Sequence, residues 1–131
     1  MKTYVKGDYP KKEITEKIIK AAFTVHNKIG SGFVEKVYEN ALAKELHSMG
    51  LAVEEQKRLN VIYGGDSVGD FVIDLLVEKS VVVELKAVRS MEKSYEDKLL
   101  HYLKASYLSV GLLLNFGNAS VQIKRKVNSK K

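Results

Sequence analysis

The residues best placed to do chemistry lie between Asp70 and Arg89, in the stretch DFVIDLLVEKSVVVELKAVR. Two apolar runs flank Glu78-Lys79-Ser80. The first carries Asp74 in its middle, and the second carries Glu84 and Lys86. In an extended chain successive side chains alternate between faces. Phe71, Ile73, Leu75 and Val77 are then expected on one face, with Val72, Asp74 and Leu76 on the other. In the second run Val81, Val83, Leu85 and Ala87 oppose Val82, Glu84 and Lys86. Runs that are apolar on both sides belong to sheets covered on both faces. A charge there is costly unless it is paired or bound to a metal.

If the two runs form a hairpin closed by Glu78, Lys79 and Ser80, Asp74 stands directly opposite Glu84. Such pairs have Cβ atoms roughly 4.5–5.5 Å apart, and like charges at that distance repel. A divalent cation held by oxygen ligands removes the penalty. Lys86 projects from the same face, so two acids and an amine converge. That grouping suits metal-assisted hydrolysis of a phosphate ester; the competing account is a plain ion pair between Lys86 and a carboxylate. The connection lacks the glycine that a three-residue hairpin loop favours.

The elements that must position these groups fit in one domain. A chain of 131 residues can bury a substantial core, and the expected unit is 1–131, with 1–12 and 128–131 as loose basic ends. The absence of cysteine excludes disulfides and thiolate metal sites. The opening MKTYVKGDYPKK contains no apolar segment of a secretory signal. No run approaches the ~18 apolar residues of a membrane span, so the expected location is the cytoplasm, with no membrane partner. The net charge of +6 is uneven. Residues 1–20 carry six basic and three acidic side chains, and 121–131 carry five basic and none acidic. Basic ends can touch phosphates, although solvated ends explain them as well.

Along the chain, Ile14, Ile18, Ala22, Val25 and Ile29 recur at helical spacing, with Ile19 and Phe23 widening the stripe. Gly30-Ser31-Gly32 ends this helix, and a second runs through Val34, Val37, Tyr38, Ala41, Leu42, Leu46 and Met49 to Gly50. Residues 53–63 read as a strand, Gly64-Gly65-Asp66-Ser67 as a turn, and Gly69 as a bulge. After the two charged strands, Ser94-Tyr95-Glu96-Asp97 matches a capping box opening a helix through Leu99, Leu100, Tyr102, Leu103 and Tyr107. Strands at 111–116 and 121–127 complete the order ααβββαββ. This is an α/β domain with a central mixed sheet flanked by helices. Tyr38, Tyr95, Tyr102 and Tyr107 fit helix stripes and read as core, while His26 and His47 read as surface or helix-terminal.

Glu35 falls in the first turn of the second helix, three residues before Tyr38, and is expected to border the buried stripe. An acid there is also favoured simply by the helix macrodipole.

Gly32-Phe33-Val34-Glu35-Lys36-Val37-Tyr38 is a G-x-x-E-x-x-Y motif. It is followed by AL, a strand containing Gln56, then IYGG, DFVIDLLVE, VVVELKAV, YLKA and LLLNFG. In this order the segments resemble the GxxExxY protein family of the PD-(D/E)XK nuclease superfamily, over roughly residues 14–126. The resemblance implies a restriction-endonuclease-like fold and hydrolysis of nucleic acid, with DNA preferred over RNA. It implies an Mg²⁺ (or Mn²⁺) site built from Asp74, Glu84, Glu35 and the Leu85 carbonyl. Lys86 would orient or deprotonate the attacking water and offset charge on the phosphate. Dimerisation, which small nucleases of this type often use to reach both strands, stays open.

One position departs from the pattern. Many relatives have a glutamine in the helix before YLK, where this chain has Lys98, and an ammonium cannot accept a hydrogen bond. Lys98 can instead approach a phosphate as a point charge, and His101 and Tyr38 are further candidates for substrate contact. A second E-x-K, Glu96-Asp97-Lys98, falls on a predicted helix, where residues two apart do not face each other. The alternative to a nuclease is a module that keeps the fold, binds nucleic acid or protein, and does not turn over. A third account makes the buried acids structural.

Overall fold

Helices cover both faces of a five-stranded sheet because the middle strands are apolar on both sides. The structure, a computed structural model, describes residues 11–128. The elements are α1 (Lys12–Ile29), α2 (Glu35–Ser48), β1 (Val53–Tyr63), β2 (Asp66–Val77), β3 (Val81–Lys86), α3 (Lys93–Ser106), β4 (Val110–Asn115) and β5 (Gln122–Val127). The strands lie in chain order, β1-β2-β3-β4-β5. All neighbours are antiparallel except β3 and β4. A parallel step needs a crossover, which α3 supplies. This is the mixed, helix-flanked sheet the sequence predicts.

One face of the sheet packs on α1 and α2. Ile18, Ala22 and Val25 of α1 and Tyr38, Leu42 and Leu46 of α2 meet Leu75, Val77, Val81, Val83, Leu85, Leu112 and Leu114. The other face packs on α3, where Leu99, Tyr102 and Leu103 meet Ile73, Leu76, Val82 and Leu113. β3 alternates as expected, but β2 does not. Phe71 and Ile73 join Leu76 on the α3 side, while Leu75 and Val77 face α1 and α2. The alternation breaks at Asp74, beside Gln56 of β1, which is left-handed at φ 52°. A left-handed residue within a strand bends it and re-aims its neighbours.

Other local expectations meet the structure in detail. Gly64 and Gly65 make a two-residue turn with φ of 61° and 85°, the left-handed pair that a tight hairpin requires. The β1–β2 register shifts between Val61 and Ile62, opposite Gly69 and Ser67, so a bulge does sit next to Gly69. The capping box does not form. α3 begins at Lys93, two residues before a Ser94 cap would allow, because the Tyr95 amide already closes a turn onto the Glu92 carbonyl. Phe23 is exposed, outside the α1 stripe it was expected to widen. Tyr107 is not core: α3 stops at Ser106, and Tyr107 turns left-handed at φ 62° with 90% of its surface exposed.

The expected loose ends fall mostly outside the described residues, although Lys12 already belongs to α1. Among the described residues no helix is long and apolar enough to cross a membrane.

β3 is anchored at its exit by a buried amide. Asn115, fully buried and paired in register with Lys86, accepts from the Val88 and Gly117 amides and donates to the Val88 carbonyl and Gln122. The chain leaving β3 therefore lies against Gly117 so closely that a Cβ there would collide with the Val88 carbonyl oxygen. At Gly111 an added Cβ meets only the Leu99 side chain, 2.7 Å from its Cδ1. Gly117→Ala is therefore expected to destabilise the protein by about 2 kcal/mol or more in urea melts, and Gly111→Ala by less, since a side-chain tip yields where backbone does not. Equal losses would show that the close approach at Val88 is not a constraint.

Candidate active site

The two charged strands pair as Val77↔Val81, Leu76↔Val82 and Leu75↔Val83. That register sets Asp74 opposite Glu84, as expected, but backbone pairing gives way there to side chains. Glu84 Oε2 accepts from the Asp74 amide at 2.9 Å, and Asp74 Oδ2 accepts from the Leu85 amide at 2.9 Å. Each acid caps the other strand where the ladder stops.

The hairpin closes without glycine. Glu78 and Lys79 are both left-handed, at φ 54° and 52°, which costs on the order of 1 kcal/mol per residue. Glu78 offsets the strain through the chain entering β1: its amide donates to the Ala52 carbonyl at 2.8 Å, and its carboxylate accepts from the Ala52 amide at 2.6 Å.

Neighbours reach the pair from several elements. From α2 comes Glu39, only 4% exposed, which pairs with Lys36 at 3.0 Å and accepts from Gln56 Nε2 at 2.9 Å. The same Gln56 nitrogen lies 3.5 Å from Asp74 Oδ1, so it couples Glu39 to Asp74. From α3, burial pushes the Tyr102 hydroxyl up to about 12, and the charges of Glu84 and Asp74 add to the rise. Lys98 Nζ lies 5.9 Å from the centre of the Tyr102 ring and opposes the rise in the Glu84 pKa. Lys86 Nζ sits 4.5 Å above the Tyr95 ring. A cation on an aromatic face is held without a carboxylate partner, and no ion pair of Lys86 appears among those of the described residues.

Burial and the Asp74 charge push Glu84 up to about 8, and burial raises Asp74 as well. Backbone amides and the two lysines resist this without cancelling it. A pair of desolvated acids whose pKa values are raised is a pair that a cation would relieve. The donors are oxygens, which suits a hard cation, and Leu85 lies two residues past Val83, the last residue of β3 to pair with β2. Asp74, Glu84 and the Leu85 carbonyl therefore fit such an ion. Among the described residues, however, no three His, Cys, Asp or Glu side chains converge as a metal cluster.

The expected third acid is where the structure differs most from sequence reasoning. Glu35 is exposed rather than at the border of the buried stripe, as are its neighbours from Phe33 to Val37. The helix acid linked to Asp74 is Glu39, one turn further on. Its signal was present in the spacing: it precedes buried Leu42 and Ala43 by three and four residues. Tyr38, a candidate for substrate contact, lies within the core. It is fully buried, stacks on Phe116 at 4.7 Å, and its hydroxyl donates to the Gly30 carbonyl at 2.5 Å. Lys98 and His101 are exposed on α3. His26, expected at a surface or a helix end, lies in the last turn of α1 but is buried, bonded to the Asn118 carbonyl at 2.9 Å.

A five-stranded mixed sheet with acids at the parting of β2 and β3 defines a restriction-endonuclease-like α/β protein. The chain belongs to the PD-(D/E)XK nuclease superfamily, whose family model matches residues 12–126. Similar solved structures include the crystal structure of SSO0001, at 17% identity and a TM-score of 0.59, over 73% of this chain and 50% of that one. Another is an alkaline exonuclease (LHK-Exo) from Laribacter hongkongensis, at 9% identity and a TM-score of 0.53, over 91% of this chain and 71% of that one. The chain thus spans about half the length of SSO0001. At these identities the likeness concerns the fold alone. Comparison with curated proteins finds no match.

The raised Glu84 pKa makes stability depend on pH. Without a divalent cation the folded state holds a proton on Glu84 that the unfolded chain releases between its ordinary 4.5 and about 8. Folded protein then binds more protons than unfolded, so stability falls as pH rises through that window, by up to about 1.4 kcal/mol per pH unit. Urea melts in chelator between pH 5 and 8 are expected to show the decline, and Glu84→Gln to flatten it. A wild-type curve already flat would mean that Glu84 is ionised throughout.

Proposed function

We propose that this protein is a divalent-cation-dependent nuclease that hydrolyses phosphodiester bonds of nucleic acid, DNA in preference to RNA. The observation that supports it best is the Asp74–Glu84 crossing, with Lys86 two residues on and on the same face as Glu84. The superfamily match over nearly the whole chain points the same way. The finer placement in the GxxExxY family rests on Gly32, Glu35 and Tyr38 in the sequence.

Asp74, Glu84 and the Leu85 carbonyl would hold Mg²⁺ or Mn²⁺. A bound cation supplies an activated water and an electrophile for the phosphate oxygens. Each carboxylate spends one oxygen on a backbone amide, which fixes its orientation before any ligand arrives. Gln56 steadies Asp74 from the β1 side, and Glu39 steadies Gln56. Lys86, cradled on Tyr95, keeps an ammonium near the point of attack, where it offsets charge developing on the phosphate. In hydrolysis the water oxygen bonds to phosphorus, the bond to the leaving oxygen breaks, and that oxygen takes up a proton. Glu35 stays in the proposal as a contributor from the exposed start of α2, and Lys98 as a phosphate contact beside Glu84.

A second account is favoured by one observation. No third acid converges on the pair among the described residues, as suits a module that binds nucleic acid without cutting it. Cleavage assays separate the two. With Mg²⁺ or Mn²⁺ the wild type is expected to cut a labelled oligonucleotide, and Glu84→Gln and Lys86→Met to lose roughly 10²-fold or more while keeping their far-UV spectrum and cooperative melting. Undiminished cutting by both variants, or no cutting by the wild type with either metal, would sink the nuclease proposal.

A further inference from the structure

Next to the carboxylate pair, the β1–β2 hairpin extends past the end of β3 and leans over α3. Between them lies a cleft of about 680 Å³. Val61, Ile62 and Phe71 give it apolar walls, His101 and Lys104 line it from α3, and Tyr107 also lines it. Among the described residues no carboxylate lines it. The cleft joins the candidate active site through one aromatic layer. Phe71 meets Tyr102 edge-to-face at 5.7 Å, and Tyr102 feels the charges of Asp74 and Glu84. From Lys98, beside Glu84, to Lys104, in the cleft, is six helical residues, or roughly 9 Å along α3.

Tyr107 is the informative residue. It occupies a left-handed position that glycine usually fills at a helix end, with φ 62°, and returns nothing in packing, being 90% exposed. A bulky residue there costs backbone energy. Strain kept at a position without a structural return points to use by a ligand.

We propose that this cleft is a subsite for an unpaired nucleobase, one or two nucleotides from the bond to be cut, and that the preferred substrate is single-stranded nucleic acid. The inference rests on the nuclease reading for its choice of polymer. A base has two apolar faces that stack on a tyrosine ring, and stacking of this kind accepts any base. Its phosphates would meet Lys104 in the cleft and Lys98 beside Glu84, so the charge of the two lysines complements the strand, with His101 as a further polar contact. A duplex keeps its bases stacked and paired, so it has nothing to insert into a concave apolar site. A second copy of this chain, docking through the exposed tip residues Ile62, Tyr63 and Val68, is the competing occupant that the test separates.

The test is binding measured by fluorescence anisotropy of the full chain in EDTA, so that turnover plays no part. The probes are a labelled oligothymidine and a duplex of equal length. Tyr107→Asn keeps a residue that tolerates the left-handed position, and Lys104→Ala removes one cation. Both are expected to weaken single-strand binding about five-fold or more while moving duplex binding less than two-fold. Unchanged single-strand affinity in Tyr107→Asn would overturn the proposal, as would equal losses for both probes, the mark of a general basic surface. Dimerisation in sizing experiments that Tyr107→Asn abolishes would assign the cleft to a second copy instead. Intact discrimination without cleavage by any metal would leave the subsite standing and remove only the nuclease.

Discussion

Two carboxylates drawn out of water at the point where β2 and β3 cease to pair set the terms for the rest of the molecule. Asp74 and Glu84 each accept a backbone amide from the opposite strand. Those amides would otherwise be left without partners where the ladder stops, and orphaned buried donors are costly. The acids thus end the sheet pairing and compensate for its ending. Their burial and mutual repulsion leave an unfavourable negative charge. Lys86, Lys98, Gln56 and Glu39 are arranged around that charge.

Holding such a pair open needs rigidity on both sides. The α1–α2 core fixes Leu75, Val83 and Leu85 from one face, and the α3 core fixes Ile73, Leu76 and Val82 from the other. The acids sit at the seam between the two cores, where β2 changes the face it presents. Beyond Lys86 the Asn115 amide ties Val88 to β4 and β5, so the end of β3 cannot fray. Apart from Lys11 at the start of α1, the left-handed non-glycine residues of the described chain are Gln56 beside Asp74, Glu78 and Lys79 in the β2–β3 hairpin, and Tyr107 at the cleft. Each is strained, and Gln56 and Glu78 are held by hydrogen bonds to neighbouring segments.

The superfamily supplies the scaffold, and function resides in what is mounted on it. Here the mounted parts are an acid pair, an amine on an aromatic face, and an adjoining cleft with apolar walls and a basic side. The helix acid coupled to the pair is one turn later than the G-x-x-E-x-x-Y motif marks, which gives Glu39 the orienting place and leaves Glu35 at the surface.

Periodicity was enough to place every strand and helix to within a few residues, and the back-to-back apolar runs specified the β2–β3 register. These properties are local: alternation, turn length and helical spacing are written in adjacent residues. The Asp74–Glu84 opposition was legible for the same reason. What only the tertiary structure decided was which way groups turn once distant segments meet. The break in alternation at Asp74 depends on Gln56, eighteen residues away, adopting a left-handed conformation. Lys86 rests on Tyr95 rather than on a carboxylate because α3 folds over that face. Tyr38 is buried by Phe116, and Tyr107 is exposed because α3 ends one residue before it. Sequence spacing fixes the face a side chain starts from; the neighbour it finds there is set by packing between elements.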